Sequence, residues 1–176
     1  SEVASHYGAE VVWRPTEISG DTATSESALV HVLDTLVEQE DYTPYLVVFL
    51  QATSPLRQPC DVQKAIDTLL REKADSLFSA RHLEGFVWGY CPAKVWPLDF
   101  DPKNRPPRQE RTWTSIEGNG SIYVFRPWVL REHRARVGGK IAVYLMDKLD
   151  SFQVDEPKDL ELMERLLRLR EGGVSA

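Results

Sequence analysis

Several things are scarce or missing in this 176-residue chain. Cysteine is the first: Cys60 and Cys91 are the only two, without metal-ligand spacing between them. That excludes a disulfide framework and a cysteine-based zinc site, and points to a reducing, cytoplasmic setting. No run approaches the roughly 18 consecutive apolar residues of a membrane span, and Ser1–Glu10 has no signal-peptide character. Positive charge is also short. The net charge of −6 argues against broad nucleic-acid binding, which depends on neutralising phosphates, while leaving room for a local basic pocket. There is no internal repeat and no low-complexity tract.

What is present suits one globular domain. Apolar residues make up 42% and charged residues 27%, both ordinary for a folded protein. Leu29, Val32, Leu33, Leu36 and Val37 repeat at helical spacing, with Asp21, Thr22 and Thr24 ahead of them as candidate caps. Val62, Ala65, Ile66, Leu69 and Leu70 repeat the pattern after Pro59. A third helix is predicted from Lys158 to Arg170, between Pro157 and Gly172-Gly173. Ser1–Tyr7 reads as the tail of another helix.

Strands are predicted at Val11–Trp13, Tyr45–Leu50, Ser76–Ala80, Ser121–Phe125 and Ile141–Leu145. The apolar run Tyr45–Leu50 suggests a strand buried on both faces. Strands alternating with helices imply an α/β fold with a mostly parallel sheet. Between Gly85 and Thr112 the pattern breaks into a strand pair and a long, Pro-rich loop. An excursion of that length is functional, interface-forming or mobile. The reading is one domain over residues 1–171, with 85–112 as an excursion and 172–176 as a tail.

Several motifs are false leads. Gly138-Gly139-Lys140 lacks the earlier glycine and the following Ser or Thr of a phosphate loop. His31 lies off the apolar stripe of its helix and is read as structural. No Ser/His/Asp set stands at hydrolase-like positions.

The segment from Gln51 to Arg57 carries more. It follows a strand and leads into a helix, the position where ligands bind in open α/β sheets. Its amide, two hydroxyls and guanidinium could read a sugar or base and hold an anion. By residue type alone, an ordinary turn with Thr53 or Ser54 as cap and Arg57 in solvent is equally admissible. Asp155, before the third helix, is open to two readings as well: a metal-binding carboxylate, or one facing the helix dipole.

The string Gln51-Ala52-Thr53-Ser54-Pro55-Leu56-Arg57 closely resembles the Q-P-T-S-P-L-R signature of acylneuraminate cytidylyltransferases, with Ala52 for proline. Arg14-Pro15 followed by Asp21-Thr22-Ala23-Thr24-Ser25 resembles that family's R-P…D-x-A-S-S element. Arg108-Gln109 and Asn119-Gly120-Ser121-Ile122-Tyr123 resemble its R-R-Q…N-G-A-I-Y element. Phe152–Leu160, containing Asp155-Glu156-Pro157-Lys158-Asp159, resembles its D-I-D-x-P-x-D ending.

The resemblance implies a Rossmann-like nucleotidyltransferase. In such enzymes the anomeric hydroxyl of a 2-keto-3-deoxy sugar acid attacks the α-phosphate of CTP and releases pyrophosphate, with Mg2+ offsetting phosphate charge. It implies that Gln51, Thr53, Ser54, Arg57, Gln109, Asn119 and Tyr123 bind the sugar, with Asn119 and Tyr123 in one pocket. Arg14, Asp21 and Ser25 would serve the nucleotide, Arg108 catalysis, and Asp155 both catalysis and the metal. It further implies a homodimer through the excursion, with Trp88 or Trp96 near the interface.

The sugar could be a sialic-acid-like nonulosonate or a 3-deoxy-octulosonate. A homologue that folds and dimerises without turnover is the third possibility. Three departures qualify the match. Nothing in Ser1–Glu10 matches the family's Gly-, Arg- and Lys-rich triphosphate loop or the strand before it. Gln153 stands where the family often has an aspartate, and Glu117-Gly118 where many relatives carry an arginine.

Overall fold

The structure is a computed structural model that describes residues 2–171. In chain order its elements are α1 (Glu2–His6), α2 (Ser25–Glu40), β1 (Val47–Leu50), α3 (Asp61–Glu72), β2 (Ser76–His82), β3 (Trp88–Cys91), β4 (Lys94–Pro97), β5 (Ile116–Phe125), α4 (Pro127–His133), β6 (Ile141–Leu145) and α5 (Pro157–Glu171). The expected tail, 172–176, lies outside the described residues.

A four-stranded sheet in the order β1-β5-β2-β6 forms the middle layer. β2 and β6 are parallel, whereas β5 runs antiparallel to both β1 and β2. The α/β class therefore holds, but the sheet is mixed rather than mostly parallel in its pairings. Three strands share one direction and β5 alone is reversed.

Strand periodicity divides the core into two layers. On one side Ile122 and Val124 of β5 pack with Leu77 of β2, Ala142 of β6 and Ala65 and Leu69 of α3. On the other, Phe125 and Tyr123 meet Leu33 of α2 and Val129 and Leu130 of α4. β1 obeys the same alternation, Val48 joining the first layer and Val47 and Phe49 the second. Among the described residues β1 pairs on one side only, so it is a half-buried edge strand and not the doubly buried one its composition suggests. Val11–Trp13 is likewise not a strand. A ladder needs a partner strand, and among the described residues this segment pairs with none; the Trp13 carbonyl instead lies 3.1 Å from His31 Nε2. The contact ties α2 to the segment ahead of it.

Caps set the helix limits. Thr24 Oγ1 accepts the Ser27 N–H at 3.1 Å and starts α2. Replacing Thr24 with alanine should lower stability by about 1 kcal/mol, read as a shifted urea midpoint at unchanged slope. Asp61 begins α3 as a buried carboxylate. It accepts the Gln58 N–H and the Tyr144 O–H, each at 2.7 Å. Burial, reinforced by that bond to Asp61, holds the Tyr144 phenol well above its ordinary pKa.

The excursion contains the expected strand pair, β3 and β4, paired antiparallel. Trp96 lies across Gly89, where a Cβ would sit 2.2 Å from the indole, so this tryptophan packs within its own hairpin. Trp88 remains half exposed, with its ring 5.0 Å from that of Phe100.

Candidate functional site

A break in the β2–β5 ladder creates the site. Phe78 pairs with Tyr123, but Ala80 pairs with Gly118, so β5 bulges through residues 119–122. Gly120 makes the bulge possible: its φ is +65, in the left-handed region that side chains disfavour. No Cβ would fit there unaided, since it would stand 2.3 Å from Gln51 Oε1 and 2.8 Å from Gln153 Nε2. Two carboxamides from separate segments therefore close on one glycine.

One backbone bond and the Arg57 side chain fasten the same three segments together. The Val154 N–H donates to the Thr53 carbonyl at 2.8 Å. Arg57 Nη1 donates to the carbonyls of Gln51, at 3.0 Å, and Ser121, at 3.1 Å, and to Ser121 Oγ at 3.3 Å. Burial lowers the Arg57 pKa while Asp61 opposes the shift; the guanidinium is spent on shaping the loop. Residues 51–57, 119–121 and 151–155, drawn from three of the four matching segments, thus form one construction.

Asn119 holds its centre and is buried. Its Oδ1 accepts from Ser79 Oγ at 2.5 Å and from the Ser121 N–H at 3.2 Å. Its Nδ2 donates to Ser151 Oγ at 2.9 Å and contacts Met146 Sδ at 3.3 Å. The side chain is committed on both ends, so it builds the site's wall and is not free to grip a ligand. Ser54 is also buried, with its hydroxyl unpartnered, and is closed to any ligand in this geometry.

The structure separates Tyr123 from Asn119, correcting the expectation of one shared pocket. Tyr123 faces the α2 layer, with its ring 6.2 Å from that of Phe49 and 4.5 Å from the Arg136 guanidinium. Arg14 lines an open groove of about 490 Å³ near Trp13. Asp21 lies in the turn before α2, and Ser25 is the first residue of that helix; both are exposed. Arg108 and Gln109 form a short turn, Arg108–Glu110, in which Gln109 is exposed and the Arg108 side chain lies outside the described structure.

Beside the bulge opens a cleft of about 340 Å³ whose wall includes Asn119, Gln153 and Asp155. Sequence reasoning missed two of its cations, Arg81 and Lys148. Arg81 stands at the carboxyl end of a predicted strand, a signal that could have marked it. Glu117, the unexpected acid, accepts from Arg81 Nε at 2.8 Å and lies 2.6 Å from Arg81 Nη2, so it neutralises a neighbour. Arg81 and Lys148 face Glu117, Asp155 and Asp159, an excess of negative charge. A polyanionic ligand would enter such a cleft with a cation.

The donor set decides how a Mg2+ ion would fit. Asp159 Oδ2 accepts the N–H groups of Glu156 at 2.8 Å and Asp155 at 3.1 Å, bonds that hold its pKa below the ordinary carboxylate value. Asp155 is exposed on the cleft and Gln153 offers only a neutral amide. Among the described residues no group of three acidic, His or Cys side chains could hold a metal. This suits an ion shared with substrate phosphates, one carboxylate from the protein and the remaining oxygens from phosphate and water. It does not suit an ion gripped by protein alone.

Solved structures share this fold. The chain resembles CMP:2-keto-3-deoxy-manno-octonic acid synthetase complexed with CTP, at TM-score 0.62 and 14% identity, over 96% of this chain and 76% of that one. It also resembles 4-diphosphocytidyl-2C-methyl-D-erythritol synthase, at TM-score 0.56 and 13% identity, covering 94% and 75%. The likeness is one of fold, a Rossmann-like α/β arrangement shared with both.

Sequence narrows this further. The N-acylneuraminate cytidylyltransferase of Oncorhynchus mykiss is 32% identical over 166 residues, which are 91% of this chain and 36% of that protein. N-acylneuraminate cytidylyltransferase A of Danio rerio is 31% identical over 177 residues, 96% of this chain and 39% of that protein. Post-translational flagellin modification protein B of Campylobacter coli is 27% identical over 180 residues, 96% and 72% of the two chains. No family model matches. The chain is thus similar in sequence to N-acylneuraminate cytidylyltransferases, and it spans less than two-fifths of the length of the two fish relatives.

Proposed function

We propose that the chain carries the sugar-binding and metal-binding side of a cytidylyltransferase that couples CTP to an acidic 2-keto-3-deoxy sugar, giving the CMP-sugar and pyrophosphate. The observation that carries this reading is the meeting of Gln51, Gln153 and the Gly120 bulge beside the cleft that Asp155 lines. A sialic-acid-like nonulosonate is the favoured sugar, because the two fish relatives are named N-acylneuraminate cytidylyltransferases.

The chemistry is one displacement. The anomeric hydroxyl oxygen forms a bond to the α-phosphorus as the bond to the β-phosphate oxygen breaks, the hydroxyl proton is released, and pyrophosphate leaves. The residues present contribute position more than acid–base chemistry. Gln51 and Gln153 offer amide donors and acceptors to sugar hydroxyls, in an orientation fixed by Gly120 and by the loop that Arg57 fastens. Holding the reacting atoms in line supplies a large part of such a rate enhancement. Asp155 would hold Mg2+, which when bound offsets phosphate charge.

Two further features belong to this reading. The half-exposed Trp88, with Tyr90, Val95 and Leu98 also exposed, gives the excursion an apolar surface suited to a second copy, hence a homodimer. No helix among the described residues is long and apolar enough to cross a membrane, and Cys60 and Cys91 are free thiols, which suits reaction in the cytoplasm.

The test is pyrophosphate release by the natively expressed protein with CTP, Mg2+ and a panel of sugar acids. Release that depends on a nonulosonate supports the reading. Release only with a 3-deoxy-octulosonate moves the substrate, and none with any sugar acid removes the activity. Calorimetry should also find no measurable Mg2+ site on the protein alone and one that forms with CTP. A tight Mg2+ site without nucleotide would contradict the shared-ion arrangement.

A further inference from the structure

The loop between β1 and α3, which carries Gln51, is held from two sides. Arg57 fastens its inner side to Ser121. Its outer side meets the far end of α5. Arg170, in the last turn of that helix, donates from Nη1 to the Leu56 carbonyl at 2.7 Å and pairs through Nη2 with Asp150. The Asp150 side chain is only 13% exposed, and it also accepts from Gln58 Nε2 at 3.1 Å. One ion pair therefore reaches Leu56 and Gln58, the residues on either side of Arg57, and the turn that follows β6.

These contacts lead to the candidate site by short routes. Leu56 is fully buried, and its neighbour Arg57 donates to the Gln51 carbonyl at 3.0 Å. The Ser54 N–H donates to the same carbonyl at 3.3 Å. The loop is thus a tight unit in which a shift at Leu56 is passed on to Gln51. Asp150 stands between Lys148, which lines the cleft, and Ser151, whose hydroxyl accepts from Asn119 Nδ2 at 2.9 Å. α5 itself is 15 residues long, about 22 Å, and its other end lies at the cleft, where Asp159 Oδ2 accepts the Asp155 N–H at 3.1 Å.

An arginine in the last turn of a helix ordinarily serves that helix's own free carbonyls or faces solvent. Arg168 fits this description: its ion-pair partner is Glu164 of the same helix, at 3.5 Å, and its side chain is largely exposed. Arg170 does not. Both of its acceptors lie outside α5, one a loop carbonyl and the other a carboxylate on a different turn. A guanidinium can serve two such acceptors together because its N–H groups are fixed in one plane, whereas an ammonium is a point charge on a flexible stem.

We infer that Arg170 is a positioning residue for the candidate site: through the Leu56 carbonyl and Asp150 it sets where Gln51 stands relative to the cleft. It touches no substrate. The inference rests on the proposed function for its effect on turnover, and on the geometry alone for its effect on Gln51. The end of α5 farthest from Asp155 thereby governs the amide that closes on Gly120.

Two readouts test this: the Gln51 side-chain amide signals in 1H–15N spectra, and KM values for N-acetylneuraminate and CTP in pyrophosphate release. Arg170→Ala is expected to unfold cooperatively in urea and to move the Gln51 signals. Its KM for N-acetylneuraminate should rise about tenfold, with that for CTP within about twofold of wild type, a misplacement well under 1 Å. Arg170→Lys, which can keep only one of the two contacts, should fall between, and Asp150→Asn should move the same signals in the same direction. Arg168→Ala should match wild type in both readouts. Unmoved Gln51 signals in folded Arg170→Lys and Asp150→Asn, changes as large in Arg168→Ala, or an equal rise in KM for CTP would overturn the inference. The activity is judged separately. Moved Gln51 signals without release from the wild-type protein reject the activity alone, and release with unmoved signals and an unaltered sugar KM in Arg170→Ala rejects the positioning role alone.

Discussion

Replacing Gly120 with alanine is expected to cost activity far more than stability. An alanine held at φ +65 loses about 1–2 kcal/mol against its preferred conformations. The atoms its methyl would meet, Gln51 Oε1 at 2.3 Å and Gln153 Nε2 at 2.8 Å, are the ends of flexible side chains and can swing away. The fold therefore survives, and the swing is what ruins the site. Displacing a positioning group by about 1 Å can cost on the order of a hundredfold in rate, so kcat/KM should fall by about that factor while the protein still unfolds cooperatively. A folded Gly120→Ala protein within threefold of wild-type kcat/KM would show that the two glutamines do not position substrate.

Asn119→Ala should behave in the opposite way, with stability as the first casualty. The buried carboxamide joins β5 to Ser79 of β2 and to Ser151 after β6. Removing it leaves the buried Ser121 N–H without its acceptor and opens a void beside Met146. An orphaned buried donor costs about 1–3 kcal/mol, and the void adds to this, so a loss of about 3 kcal/mol is expected in urea denaturation. Asn119→Asp keeps the acceptor but loses both donor contacts and buries a charge, so it should not rescue. A loss below 1 kcal/mol in Asn119→Ala would mean that the bulge is held by its backbone alone.

These contrasting expectations mark how far the sequence could be read. The three long helices were legible because each buries one face, and helical spacing records that directly. β6 was legible to the residue, Ile141–Leu145, because a short apolar run between polar turns admits little else. The direction of β5 was not, since local composition carries no trace of which way a strand enters a sheet. Its length was missed for a related reason. Glu117-Gly118-Asn119-Gly120 has the composition of a turn, yet it continues the strand through a bulge paired to β2. α4 was missed because seven residues opened by a proline scarcely complete a period.

The site was legible in part. Motif resemblance drew residues 51–57, 119–123 and 152–160 together; the fold joins 51–57, 119–121 and 152–155 and turns Tyr123 to the opposite layer. It could not distinguish residues that face a ligand from residues that build the wall. Asn119, Arg57 and Ser54 read as binding groups because amides, guanidinium groups and hydroxyls can do either job; bonding partners show that Asn119 and Arg57 are committed inward, and burial alone closes off Ser54. Gln153, by contrast, read as a defect in a metal site. In the structure it approaches Gly120 from the side opposite in sequence to Gln51, an arrangement no spacing rule anticipates.

The central claim, that separate segments converge into one sugar-handling site at the Gly120 bulge, is tested most directly by a double-mutant cycle. Gln51→Ala, Gln153→Ala and the double variant are compared in kcat/KM for pyrophosphate release with CTP and the sugar acid. The expected result is a loss of at least tenfold in each single variant and a double variant little worse than either, because groups that act on one substrate position couple strongly. Single variants within twofold of wild type, or losses that simply multiply, would contradict it.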